Sequence, residues 1–116
     1  MGCSTELLAW RRMILRSWSA RADAHGAEAY RRHFTGEVLP QLERLAGYRG
    51  AYLLRRDRGD EVELQVLSVW ESLAAVERFA GPDVERAVVA PDARAVLAGY
   101  DATVSHYTVV EEHRPY

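Results

Sequence analysis

The spacing of apolar positions changes several times along the chain, and each change marks an element. Met13–Ala20 (MILRSWSA) is a short apolar run bounded by polar residues. It predicts a strand with Ile14, Arg16 and Trp18 on one face and Met13, Leu15 and Ser17 on the other. From about Asp23 to Ala46 the period lengthens. Ala27, Tyr30, Phe34, Val38, Leu42 and Leu45 recur at steps of three and four, which places them on one stripe of a helix. Asp23 suits the N-cap and Gly47 the left-handed position after the last turn. Glu28 and Arg32 stand four apart on the polar face. Pro40 has no backbone donor and its ring crowds the preceding turn, so a kink is expected near Gly36–Val38.

Tyr48–Arg56 (YRGAYLLRR) and Glu61–Trp70 (EVELQVLSVW) read as a hairpin, joined by a turn at Asp57-Arg58-Gly59-Asp60. Ser72 caps a short helix with Leu73, Val76 and Phe79 inward, and Gly81-Pro82 ends it. Short helical pieces are expected near Val84–Val88 and from Pro91, at the first helical position, to Gly99. Tyr100–Val110 is the last strand. The order βαββαβ, joined by short right-handed connections, predicts an α+β ferredoxin-like sandwich with a four-stranded antiparallel sheet under two helical segments. Helices cover only one face of such a sheet, yet the strands are apolar on both. Val62, Leu64 and Val66 oppose Leu67 and Val69, and Leu54 and Tyr52 oppose Leu53 and Ala51. A half-exposed sheet alternates cleanly. The second face is therefore expected to be covered by another copy, two sheets forming a barrel in a homodimer.

Composition narrows the function classes. The 116 residues make one domain, placed at 13–110, with 1–12 as an N-terminal extension and 111–116 as a polar tail. The single cysteine, Cys3, allows neither an intrachain disulfide nor a thiolate metal cluster. A net charge of −2 gives no bulk attraction to nucleic acid. No apolar run approaches the ~18–20 residues of a membrane span. Residues 1–12 are too short and polar for a secretory signal, and Glu6 departs from the myristoylation pattern, so a cytoplasmic, membrane-free protein is expected. All fifteen basic residues are arginine, which excludes Schiff-base lysine chemistry and a phosphate-loop lysine. There is no asparagine.

From Met13 to Val110 the sequence resembles the antibiotic biosynthesis monooxygenase domain family, the dimeric α/β-barrel proteins. The segments that carry the resemblance are Met13–Trp18 (MILRSW), Glu37–Leu42 (EVLPQL), Gly47–Arg56, Val69–Leu73 (VWESL), Phe79–Val89 (FAGPDVERAVV) and His106-Tyr107. The resemblance implies a ferredoxin-like protomer, a sheet-to-sheet dimer and a pocket between sheet and helices. Relatives include cofactor-independent oxygenases of aromatic polyketides and haem-degrading proteins, and related folds cyclise polyketides or isomerise small acids. The oxygenases and haem degraders characteristically use an asparagine with a tryptophan, and this chain has no asparagine. The haem degraders ligate iron through a histidine on the second helix, whereas Ser72–Ala98 contains none.

Against that background, His106, mid-strand, is a candidate proton-handling group or a histidine bonded within the core or dimer face. Arg16 can stabilise an enolate or carboxylate, or pair with a glutamate such as Glu63 or Glu71. Trp18 can stack on a planar ligand. Trp70 is either a pocket wall or core. Tyr107 is one of several strand tyrosines able to lend a hydroxyl. Arg86 follows the Gly-Pro break, where a loop lips the pocket, and either meets a substrate carboxylate or pairs at the surface. Tyr30, Phe34 and Val38 are expected on the helical wall. His25, His33 and His113 show no metal-ligand spacing, and no glycine-rich phosphate cradle or G-x-S-x-G elbow is present, so neither metal nor organic cofactor is expected. These readings converge on a cofactor-independent monooxygenase acting on a small aromatic, polyketide-like ligand. A non-catalytic binding protein and a cyclase- or isomerase-like enzyme are the alternatives.

Overall fold

The computed structural model describes residues 13–115, so the expected extension over 1–12 lies outside the described residues. The chain runs β1 (Ile14–Ala22), α1 (Ala24–His33), a π-helical segment (Phe34–Val38), α2 (Leu39–Glu43), β2 (Tyr48–Arg58), β3 (Glu61–Trp70), α3 (Leu73–Ala80), α4 (Pro91–Val96), β4 (Gly99–Tyr100) and β5 (Ser105–Thr108). The sheet order is β2-β3-β1, with β4 and β5 following one another along the far side of β1, and every pairing is antiparallel. This is the ferredoxin-like α+β architecture, with one expected last strand divided in two.

Local chemistry explains most boundaries. The Asp23 carboxylate accepts from the Gly26 amide at 2.7 Å and starts α1, and the Ser72 hydroxyl does the same for α3 through Ala75 at 3.1 Å. Gly47 takes φ +92° after α2, and a β-carbon there would collide with Ala75. At Pro40 the missing amide would have served the Gly36 carbonyl. The helix responds by widening, and the Leu39 amide donates back to Phe34, five residues earlier. The expected kink is thus a π turn at the expected place.

Three expectations change. Val84–Val88 is not helical. Arg86 bridges Thr103, Ala87 N–H donates to Ala102 at 2.9 Å, and Val104 N–H donates to Glu85 at 2.8 Å. The β-branched valines favour this extended path, and its partners lie too far along the chain for a local pattern to reveal them. The same contacts draw residues 101–104 away from β1 and split the last strand. Leu73, expected inward on α3, is 44% exposed, while Val76 is buried as expected and Ala75 is buried beside it.

Side-chain parity in the sheet follows a period of two. Arg16, Trp18, Ala20 and Ala22 of β1 and Val62, Leu64, Ser68 and Trp70 of β3 face the helices. Two apolar clusters form there. One gathers Ala27, Tyr30 and Phe34 over Val62 and Leu64, and the other gathers Leu42 and Val76 around Trp70. Each large apolar side chain fully buried in them contributes about 1.5–3 kcal/mol. Leu15, Tyr52, Leu54, Leu67, Val69 and Tyr107 occupy the other face, where Tyr52 and Tyr107 are more than half exposed.

Candidate functional site

Between the two clusters, under the π turn, the helices stand off the sheet and leave a cavity of about 210 Å³. Its floor is Arg16, Trp18, Val66 and Ser68 from the sheet. Tyr30, His33, Glu37 and Gln41 form the helical wall, Phe79 closes one side, and Val88–Ala93 make the rim. A second, open depression of about 550 Å³ lies at the hairpin end among Arg21, Arg55, Arg56 and Glu63, where Arg56 and Arg58 are already engaged by Glu63.

Arg16 is the central group. It is 5% exposed and has no carboxylate within ion-pair distance among the described residues. Glu63 and Glu71, the partners considered from sequence, are taken by Arg56 with Arg58 and by Arg49. Instead Arg16 Nη1 donates to the Val84 carbonyl at 2.6 Å and Nη2 to the Arg86 carbonyl at 3.0 Å. The guanidinium also lies 5.7 Å from the Phe79 ring centre. Burial draws its pKa down to about 10, which leaves it charged at neutral pH. A buried cation satisfied only by neutral acceptors keeps an unbalanced positive charge on the cavity floor.

His106 stands opposite Arg16 on β5, with Arg16 Nη1 3.0 Å from its Nε2. It is not among the residues lining the cavity. Burial first, then the Arg16 charge, lowers its pKa, and Glu85 opposes them. Trp18 lines the floor as expected, while its indole N–H donates to the Asp101 carbonyl at 2.8 Å. Tyr30 lines the helical wall, and burial pushes its phenol up to about 12, so it remains a hydroxyl donor.

The other expected site residues fall elsewhere. Phe34 is buried in the core behind Tyr30, with ring centres 6.4 Å apart. Trp70 is fully buried as core. It stacks on Phe79 at 5.8 Å and donates to the Ser68 hydroxyl at 2.9 Å, so Phe79 and Ser68 stand between it and the cavity. Arg86 lends its backbone carbonyl, and its side chain is absent from the lining. Tyr107 pairs with Leu15 on the opposite sheet face and is 58% exposed. Adjacent strand positions point opposite ways, so His106 and Tyr107 never shared a face.

Sequence reasoning missed His33, Glu37, Gln41 and Phe79 as lining residues. The signal was a polar column at four-residue spacing beside the apolar stripe. In a regular α-helix residues four apart rotate by about 40°. The wider π turn cancels part of that rotation and keeps the three in line along the cavity. Among the described residues no group of three or more His, Cys, Asp or Glu side chains stands close enough to hold a metal. No helix among them is long and apolar enough to cross a membrane.

No protein-family model and no curated protein matches the sequence. Solved structures do match in fold. A candidate antibiotic biosynthesis monooxygenase from Bacillus cereus superposes with a TM-score of 0.64 at 18% identity, over 90% of this chain and 99% of the other. An asparagine-to-alanine mutant of SnoaB, a cofactor-independent oxygenase from Streptomyces nogalater, gives 0.58 at 19% identity, over 87% and 96%. A mutant of MhuD with two manganese protoporphyrins per active site gives 0.63 at 20% identity, over 88% and 99%. The chain shares the fold of these proteins from end to end of their domains.

Proposed function

We propose that the protein is a cofactor-independent monooxygenase of natural-product metabolism, acting on a planar aromatic, polyketide-like substrate. The observation that carries this reading is Arg16, a buried cation without a carboxylate partner among the described residues, set among Trp18, Tyr30 and Phe79. Such a floor favours the anion of a weakly acidic aromatic over the neutral molecule, because the guanidinium is in place before the charge develops. The electron-rich anion then reduces dioxygen. For an anthrone-type methylene, one oxygen atom becomes the ring carbonyl and the other leaves as water with the two methylene hydrogens. The fold shared with SnoaB supports the same direction.

No haem step belongs to this reading. The segment Ser72–Ala98 holds no histidine, cysteine, methionine or tyrosine to serve as an axial ligand from that side of the cavity. The functional unit is proposed to be a homodimer, because Leu15, Leu67, Val69, Tyr52 and Tyr107 make one sheet face apolar with no element of the described residues over it.

The deciding experiment is oxygen uptake with an anthrone, using wild type and Arg16→Met. Uptake above background by wild type, lost in the variant, supports the reading. The absence of asparagine favours a second reading, in which the same cavity binds aromatic anions without oxygen chemistry. Tight anthrone binding with no oxygen uptake would select it.

A further inference from the structure

We propose that His33, on the helical wall, is the base that ionises the substrate in this cavity, while His106 only positions Arg16. The inference rests on the cavity being the substrate site. His33 lines this cavity and His106 does not. His106 has its Nε2 committed to Arg16 and does not reach the cavity. His33 ends α1 where the π turn begins, half-buried and lining the cavity, with its ring tilted against Tyr30 at 5.7 Å between centres. Neither of its ring nitrogens has a hydrogen-bond partner among the described residues, so a lone pair is free for a ligand proton.

The charged and titratable groups around His33 suit that task. Arg16 of β1, Tyr30 of α1, Glu37 of the π turn and Asp92 of α4 line the same cavity. The step is a proton transfer and needs no oxidant. An O–H or activated C–H of a neutral aromatic acid gives its proton to the imidazole, and the bond electrons stay on the substrate. The anion is held by Arg16, and the proton stays on the imidazole of the helical wall. The cavity then has two walls with separate duties, a fixed cation in the sheet and a proton acceptor on the helix.

Anaerobic mixing with an anthrone isolates this step, since the anion absorbs visible light and cannot proceed to product without oxygen. Wild type is expected to form the bound anion. His33→Gln, folded by circular dichroism, is expected to form it at a rate lower by about a hundredfold or more, with affinity changed less than about threefold. The ionisation of a histidine should vanish from its pH–rate profile. In His33→Ala, added imidazole is expected to restore the rate in proportion to its concentration. A His33→Gln variant with wild-type rate and pH profile overturns the role of His33 while leaving the substrate site intact, as does failure of imidazole rescue. If wild type neither binds nor ionises the anthrone, the reading of the cavity falls with it.

Discussion

Arg16 donates to His106 across neighbouring strands, and the donor fixes the protonation of the acceptor. A guanidinium has no lone pair to offer, so the 3.0 Å contact requires an unprotonated Nε2 and places the imidazole proton on Nδ1.

The sign of the resulting pH dependence follows. In the unfolded chain His106 titrates near its ordinary 6.5, and in the fold its pKa is lower. The unfolded state therefore binds the proton first. Stability from this group is complete above 6.5 and is lost as pH falls through the depressed value. Melting temperature should decline on acidification below 6.5, before the surface carboxylates titrate. In His106→Gln, which can still accept from Arg16 but cannot titrate, that decline should flatten. An unchanged slope would show that another group governs it.

Arg16 also holds two carbonyls of the extended segment after α3. Arg16→Met should lower affinity for an aromatic anion by tenfold or more, the equivalent of about 1.4 kcal/mol. It should also speed amide exchange through Val84–Val89, because the Val84 and Arg86 carbonyls lose the donors that pin this stretch to the sheet. Faster exchange without weaker binding would separate the two roles.

Gly36 lies inside the π turn with no atom within 4 Å of where a β-carbon would stand. Gly36→Ala should therefore raise stability by about 0.5–1 kcal/mol, the difference in helix propensity, measured by urea unfolding. Pro40→Ala permits a regular helix, so it should change ligand affinity through Glu37 and Gln41 more than it changes stability.

Leu67 sits mid-strand on the sheet face away from the helices, opposite Tyr52 and Ser17. Leu67→Arg should leave the protomer folded and abolish the proposed dimer, read by sedimentation equilibrium at micromolar concentration. A wild-type chain that sediments as a monomer would remove the dimer from the account.

Much of this was legible in the residues. Parity placed Arg16 and Trp18 together, the two helix caps and the hairpin were visible, and Pro40 announced the irregular turn. What was not legible depended on partners far along the chain. Nothing near Arg16 says that two backbone carbonyls some seventy residues away will replace the expected glutamate. Nothing near Trp70 says that Phe79 will stand between it and the cavity. The helical column of His33, Glu37 and Gln41 was hidden for a different reason. An apolar stripe is read as the buried face, and polar residues beside it are assigned to solvent unless a cavity is already known.

The division of the last strand has a consequence for solution behaviour. β5 spans only four residues, followed by a single further bond from the Val109 amide to Met13, so this margin offers little template for a foreign strand. The opposite margin, β2, carries Arg49, Arg55, Arg56 and Arg58, whose charge and bulk resist the same addition. Lengthening of the sheet by recruited strands, the route to open-ended fibrils, is thus discouraged on both sides. Self-association through the sheet is left with its broad apolar face, a geometry that closes on itself instead of propagating.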